Sequence, residues 1–401
     1  MPPEEKMILT KKTMEDKKTK TIMIVAGEAS GDMHGASLVR EMLRIDPFLS
    51  FYGIGGNKMQ EAGVQLLVNA SETAVVGLTE VISKFGTLFR IIRQVKKSLD
   101  VMKPQLVILI DYPDFNLNFV APAAKKRGIK IFYYISPQVW AWRKSRIHKI
   151  KRLVDKMAVI LPFEVDTYAA KGFTVDYVGH PLLDLVKPSY SKQESLKKFN
   201  LDESKTTIGL LPGSRLSEVI KLLPEMLRAA EIMAQKIQTA QFILPLADTL
   251  EEKTVGDIIS GFSVKVKVIS GQTYDAISCC DLAIVASGTA TLETALLGVP
   301  MIIIYKISPL SYFIGKFIVD VQNIGLANII AGKTVVPEFI QEDVNGHRIA
   351  AEALDILTDE KRKLEIIKEL AAIRSKLGDH GAATKTARLA YDMIWGKHET
   401  T

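Results

Sequence analysis

Short runs of almost uninterrupted apolar residues, bounded by Gly, Pro or charge, recur at 21–26, 106–110, 130–135 and 157–161. The stretches between them carry apolar positions at helical spacing. Strands that are apolar on both faces and alternate with amphipathic helices mark a parallel sheet covered on both sides. The pattern restarts after 188–204, with runs at 207–211, 241–245, 264–269, 282–285 and 301–305. It predicts an α/β chain of two Rossmann-like domains, with ligands in the crevice at the carboxyl ends of the strands. Pro181 and Pro188 bracket the break, which places the boundary at Lys187. Residues 1–20 then form a polar tail, 21–187 the first domain, 188–370 the second, and 371–401 closing helices that return toward the first domain.

Composition narrows the class of protein. In 401 residues, 47% hydrophobic and 24% charged side chains match a folded globular chain and exclude a fibrous or wholly disordered one. The two cysteines, Cys279 and Cys280, are adjacent, so neither a disulfide framework nor a four-cysteine zinc site is available. A net charge of +7 and a pI near 9.0 suggest an anionic partner: nucleic acid, a phosphorylated metabolite or acidic lipid. No apolar run reaches the ~18 residues of a membrane span. The first twenty residues lack the apolar core of a secretory signal, so a cytoplasmic location is expected.

The candidate chemistry lies in the strand-to-helix loops. After the first strand, Gly27, Glu28, Ser30, Gly31, Asp32, His34 and Gly35 form a loop that lacks the paired early glycines of a dinucleotide site, which disfavours a nicotinamide or flavin cofactor. The segment 327–334 ends in Gly-Lys-Thr, but Ala327 stands where a phosphate loop needs glycine. Ser287, Gly288, Thr289 and Ala290 open a helix after the 282–285 strand, where free backbone N–H groups suit a diphosphate. Glu293, one to two turns in, is placed for a ribose diol. A well-capped helix explains these residues equally well. Gly213, Ser214, Arg215 and Glu218 repeat the arrangement after the 207–211 strand. Arg215 either supplies a fixed guanidinium for a departing diphosphate or forms an ordinary surface pair with Glu218.

In the first half, the strand 106–110 runs into Asp111-Tyr112-Pro113-Asp114. A general base belongs at such a strand end. Asp111 is placed to orient loop backbone and Asp114 to meet an acceptor hydroxyl, although the same four residues also make a good turn. Trp140 and Trp142 precede a basic run through Arg143, Lys144, Arg146, Lys149, Lys151 and Arg152, without any recognised nucleic-acid module. The segment 72–89 carries Val75, Val76, Leu78, Val81, Ile82 and Phe85, more apolar surface than one core-facing stripe. Either it packs between domains or it forms a patch that lies on a membrane and admits acyl chains.

Taken together, AGEASGD, GIGG, VVGLTEV, DYPDFN, ISPQVWAWR, LPFE, VGHP, LPGSRLSE, ASGTATLE and the 325–341 segment closely resemble the lipid-A-disaccharide synthase family, collinearly from about Thr21 to the C-terminal helices. The resemblance implies a glycosyltransferase B fold and an inverting, metal-independent hexosyltransferase without a cofactor. Its implied donor is UDP-2,3-diacylglucosamine and its acceptor is 2,3-diacylglucosamine 1-phosphate. The implied product is the β-1,6-linked lipid A disaccharide. It further implies peripheral attachment to the inner-membrane phospholipid surface of a Gram-negative cell and a homodimer exchanging C-terminal segments, with no nucleic acid partner. On this resemblance Asp114 is the base. Arg215, the Ser287–Ala290 turn and Glu293 hold UDP, and Asn328 and Gln341 join them from the late segment.

Overall fold

Among the described residues thirteen strands form two sheets, and in both the long apolar runs become central strands. The computed structural model describes residues 19–70, 81–137, 139, 145–306 and 323–396, with the side chains of 81–85 outside that description. Strands β1 (Lys20–Ala26), β2 (Leu49–Gly55), β3 (Val64–Asn69), β4 (Leu106–Ile110), β5 (Lys130–Tyr134), β6 (Lys156–Val159) and β7 (Asp176–Tyr177) build one sheet in the order β3-β2-β1-β4-β5-β6-β7. Strands β8 (Thr206–Leu211), β9 (Ala240–Leu246), β10 (Val266–Ser270), β11 (Leu282–Ala286), β12 (Met301–Tyr305) and β13 (Glu338–Ile340) build the other, in the order β10-β9-β8-β11-β12-β13. Every strand pairing among the described residues is parallel.

Burial explains why these strands read as continuous apolar runs. Met23 and Val25 pack with Val107, Leu109, Ile131 and Tyr133 in the core on one face, while Ile22, Ile24 and Ile108 on the opposite pleat are also 0% exposed. Helices cover both faces, so no polar face is left to give an alternating pattern.

The chain divides into two compact units, one of Met1–Pro181 with Gly381–Thr401 and one of Leu182–His380. In the second, the polar segment after Pro188 leads into the helix Lys192–Lys198 through a capping box, with Ser191 and Glu194 satisfying each other's backbone N–H groups. In the first, the C-terminal helix Ala382–Trp395 packs on the helix Ala29–Ile45. Thr384 donates to Glu41 at 2.9 Å, Lys130 donates to the Met393 carbonyl at 2.6 Å, and the Lys20 ammonium sits 4.8 Å from the Trp395 ring centre.

In each sheet the strand order reverses at one point, between β1 and β4 and between β8 and β11. Connections from these neighbouring strands leave in opposite directions and open a crevice at their carboxyl ends, the usual ligand position in open α/β sheets. The four loops that follow β1, β4, β8 and β11 are those carrying the candidate residues.

Candidate active site

In the first unit, β1 ends at Ala26, and Gly27 passes directly over a ring: a Cβ there would lie 2.3 Å from Tyr112. The loop after β4 is therefore packed on the loop after β1. Glu28 sits exposed at the N-cap of the helix Ala29–Ile45, Ser30 is half-buried, and Gly31 is pressed against Ala26. Asp32 points elsewhere. Its carboxylate accepts from the backbone N–H groups of Gly56 at 2.7 Å, Met59 at 3.0 Å and Lys58 at 3.1 Å, tying down the start of the helix Asn57–Glu61. An acidic side chain capping three N–H groups is a device for holding the GIGG turn.

His34, one turn beyond Ser30, is 5% exposed, and its Nδ1 has no hydrogen-bond partner. Burial pushes its pKa down to about 4. Burial and the neighbouring His34 push His180, in the VGHP segment, down to about 3. Both imidazoles are neutral at pH 7.

The end of β4 is an irregular backbone. Asp111 and Tyr112 take φ of 42° and 47°, and a π-helical turn, Asn116–Val120, follows the short helix Pro113–Phe115. Left-handed non-glycine residues and π-turns concentrate at functional sites because the surroundings must over-determine them. Here the Asp111 carbonyl accepts from Tyr133 Oη at 2.6 Å and Asn116 Nδ2 at 2.7 Å. Burial, then the nearby Asp111 charge, raises the Tyr133 phenol well above its ordinary pKa. Asp111 thus anchors the loop through its backbone, while Asp114 is 62% exposed and forms an ion pair with Arg146, itself only 12% exposed. Arg146 opens the helix Arg146–Leu153, so the basic run does local work: Lys149 also donates to Asn118 at 2.6 Å. Trp140, Trp142, Arg143 and Lys144 lie outside the described residues.

In the second unit, Gly213 has φ of 107°, and a Cβ on it would meet Glu218 Oε2 at 2.5 Å. Glycine lets the loop turn beneath that carboxylate. Arg215 is the N-cap residue of the helix Leu216–Lys236, 60% exposed, with Nη1 3.2 Å from Glu218 Oε1. Ser214 accepts at its carbonyl from Thr249 Oγ1 at 2.6 Å. Burial, then Glu218, raises the pKa of Tyr305, with Arg215 opposing, so the β12 end faces the same charges.

Across the switch point, the helix Thr289–Leu296 starts after Ser287 and Gly288, its first N–H groups at the end of β11. Glu293 accepts from Tyr274 Oη at 3.1 Å, and burial followed by that carboxylate raises the Tyr274 pKa. Ser287 Oγ donates to the Ile324 carbonyl at 3.1 Å, joining this turn to the late segment. Asn328 is 0% exposed and fully engaged: its Oδ1 accepts from Val335 and Val336 N–H groups, and its Nδ2 donates to the Val336 carbonyl and to Glu338. It holds the chain around the helix Leu326–Ala331. Gln341 is 8% exposed with φ of 54°, just beyond β13.

The fold therefore gathers Glu28, Ser30 and Asp114 at one switch point, and Gly213, Ser214, Arg215, Glu218, Ser287, Gly288, Thr289, Ala290 and Glu293 at the other. It sets Asp32 and Asn328 into structural hydrogen bonds. Val75, Val76 and Leu78, and the side chains of Val81, Ile82 and Phe85, lie outside the described residues. Arg146, Tyr274, Tyr305 and Glu338 join these sites without having been singled out for them from the sequence.

Two doubly wound parallel sheets, each with its polar loops at the strand reversal, define an α/β protein of the glycosyltransferase B class. The fold is shared with the UDP-GlcNAc 2-epimerase of Neisseria meningitidis solved with UDP-GlcNAc, at a TM-score of 0.63 and 13% identity over 94% of this chain and 100% of that one. It is shared also with MurG of Acinetobacter baumannii, at 0.56 and 12% over 93% and 99%. Sequence is more specific. The family model described as Lipid-A-disaccharide synthetase matches residues 22–390. The lipid-A-disaccharide synthase of Syntrophus aciditrophicus is 54% identical over 94% of this chain and 98% of its own, and that of Geobacter metallireducens is 48% identical over the same shares. The chain belongs to the lipid-A-disaccharide synthase family, and it is a glycosyltransferase, a hexosyltransferase of lipid A biosynthesis.

Proposed function

We propose that the chain joins UDP-2,3-diacylglucosamine to 2,3-diacylglucosamine 1-phosphate, forming the β-1,6-linked disaccharide 1-phosphate and UDP. In this reading the second unit holds the nucleotide. The observation that carries it is the pairing, at the β8/β11 reversal, of a guanidinium at one helix start with a second, glycine-led helix start. Arg215 and those N–H groups face the diphosphate, and Glu293, oriented by Tyr274, takes the ribose hydroxyls. Fixed positive charge there stabilises the negative charge that accumulates as the C1–O bond to UDP breaks.

Asp114 takes the proton from the acceptor 6-hydroxyl as its oxygen attacks C1 from the face opposite UDP, which inverts an α-linked donor to a β-glycoside. Arg146 holds the carboxylate in place, and the strained Asp111–Tyr112 backbone sets the loop. His34 is buried and neutral and Asp32 is bonded to three N–H groups, which favours Asp114 as the base. For the membrane, the reading assigns the 75–85 segment to the phospholipid surface. Phe89, 68% exposed beside Arg90 on the helix Val81–Met102, supports an apolar and basic contact of that kind, and no described helix is long and apolar enough to cross a bilayer. Two copies exchanging their C-terminal helices would reproduce between chains the Ala29–Ile45 packing seen here within one.

Mixing the two purified acylated sugars with the enzyme tests the reaction. UDP release that requires both sugars, and acyl chains on the donor, is expected. UDP release without acceptor, or conversion of unacylated UDP-GlcNAc to its 2-epimer, would replace this reading with that of an epimerase.

A further inference from the structure

The Ser287–Thr289 turn is held from behind by a carboxylate on another strand. Glu338 begins the edge strand β13, where it pairs with Ile303 of β12. Its Oε2 accepts from the Ile324 N–H at 2.8 Å, and its Oε1 accepts from the Gly325 N–H at 3.0 Å and from Asn328 Nδ2 at 2.8 Å. Ile324 in turn accepts, at its carbonyl, the hydroxyl of Ser287. Gly325 has no room to shift inward, since a Cβ on it would lie 2.3 Å from Ile303 Cδ1 and 3.1 Å from Glu338 Oε1. The path from Glu338 through Ile324 to Ser287 is thus two directed hydrogen bonds, with Gly325 packed beside it.

We propose that Glu338 is a positioning residue for the nucleotide site: by fixing Ile324 and Gly325 it fixes Ser287, and so the orientation of the N–H groups that open the helix Thr289–Leu296. This rests on the reading of that helix start as the UDP site. An ionised carboxylate suits the role because all three of its partners are donors. The amide of glutamine does not, since its NH2 group faces the Ile324 N–H in one orientation and both the Gly325 N–H and Asn328 Nδ2 in the other, leaving one or two donors unpaired and repelled. The segment is then free to move by the few tenths of an ångström that decide whether a diphosphate oxygen meets two N–H groups or one.

The test compares wild type with Glu338→Gln. Hydrogen–deuterium exchange on the ligand-free enzyme should rise in residues 287–291 as well as in 323–328, with β8 unchanged. Titration with UDP should show binding weakened roughly ten-fold, and KM for the UDP-sugar should rise by a similar factor, while kcat at saturation changes much less. Exchange that rises only in 323–328, with UDP affinity intact, overturns the proposal. So does an equal rise in exchange throughout the unit. If Glu338→Gln does not fold, Glu338→Asp keeps the charge but shortens the reach; it should give a smaller loss of the same pattern, and wild-type UDP affinity in it overturns the proposal. Failure of the wild-type enzyme to bind UDP would instead remove the assignment of the site, while the exchange data on ligand-free protein still report whether Glu338 holds Ser287.

Discussion

Arg215→Ala separates two jobs that the same side chain can do. As a partner of Glu218, Arg215 is worth little: the pair is three residues apart, at 3.2 Å, with the guanidinium 60% exposed. Such helix-surface pairs stabilise by about 0.2–0.5 kcal/mol. Losing it should lower the melting temperature by no more than about 2 °C for a unit of this size. As the group facing the departing diphosphate, Arg215 should be worth about 2–4 kcal/mol of transition-state stabilisation, or roughly 30- to 1,000-fold in turnover. The substitution also leaves the Glu218 carboxylate behind, folded over Gly213 with its oxygen 2.5 Å from where a Cβ would be. That uncompensated charge repels the nucleotide, so Arg215→Ala with Glu218→Gln should recover part of the loss in affinity but not the loss in turnover. Steady-state kinetics with both acylated sugars, alongside thermal melts, measure these quantities. Near-wild-type turnover in a folded Arg215→Ala enzyme would reduce Arg215 to a surface residue and refute the reasoning.

Asp114→Asn keeps the shape of the side chain and an acceptor for Arg146. Turnover should fall by about 10²–10⁴-fold, with UDP affinity and melting temperature nearly unchanged; retention of most turnover would move the base elsewhere. Gly27→Ala places a methyl 2.3 Å from the Tyr112 ring, so the β4 loop must shift. A loss of about 1–3 kcal/mol in stability, seen in denaturant melts, should accompany lower turnover, and an unperturbed variant would contradict the packing. The buried histidines make stability depend on pH. His34 and His180 have folded pKa values near 4 and 3, below the ordinary 6.5, so the unfolded chain binds more protons in between. Stability should be full above pH 6.5 and decline as pH falls toward about 4. His34→Gln should flatten that decline in melts taken from pH 7.5 to 5, and an unchanged slope would place the protonation elsewhere.

The loops that matter were legible because chemistry at a strand end leaves a local mark: small residues for a helix start, a carboxylate after an apolar run, an arginine beside glycine. Strands β2, β3, β7 and β13 were not read from the pattern. β2 carries Gly53 and Gly55 within its span, and β7 and β13 have only two and three residues. What each polar side chain does was harder still, because its partner is distant in sequence. Asp32 reads as a site carboxylate until its oxygens are found on N–H groups 24 to 27 residues away. Arg146 is one of six cations in a run, and only the fold brings it to Asp114. Asn328 carries no sign in its neighbours that all its hydrogen-bonding capacity is spent on residues 335–338.

The central claim is a transfer between two acylated sugars with inversion, divided between a base on the first unit and a nucleotide site on the second. The most direct measurement is mass and proton magnetic resonance of the product formed from purified UDP-2,3-diacylglucosamine and 2,3-diacylglucosamine 1-phosphate. The account predicts one product whose mass is the sum of the substrates less UDP, linked to the 6-oxygen, with the large anomeric coupling of a β-glycoside. An α-linked product, a free diacylglucosamine from hydrolysis, or attachment at another hydroxyl would contradict it.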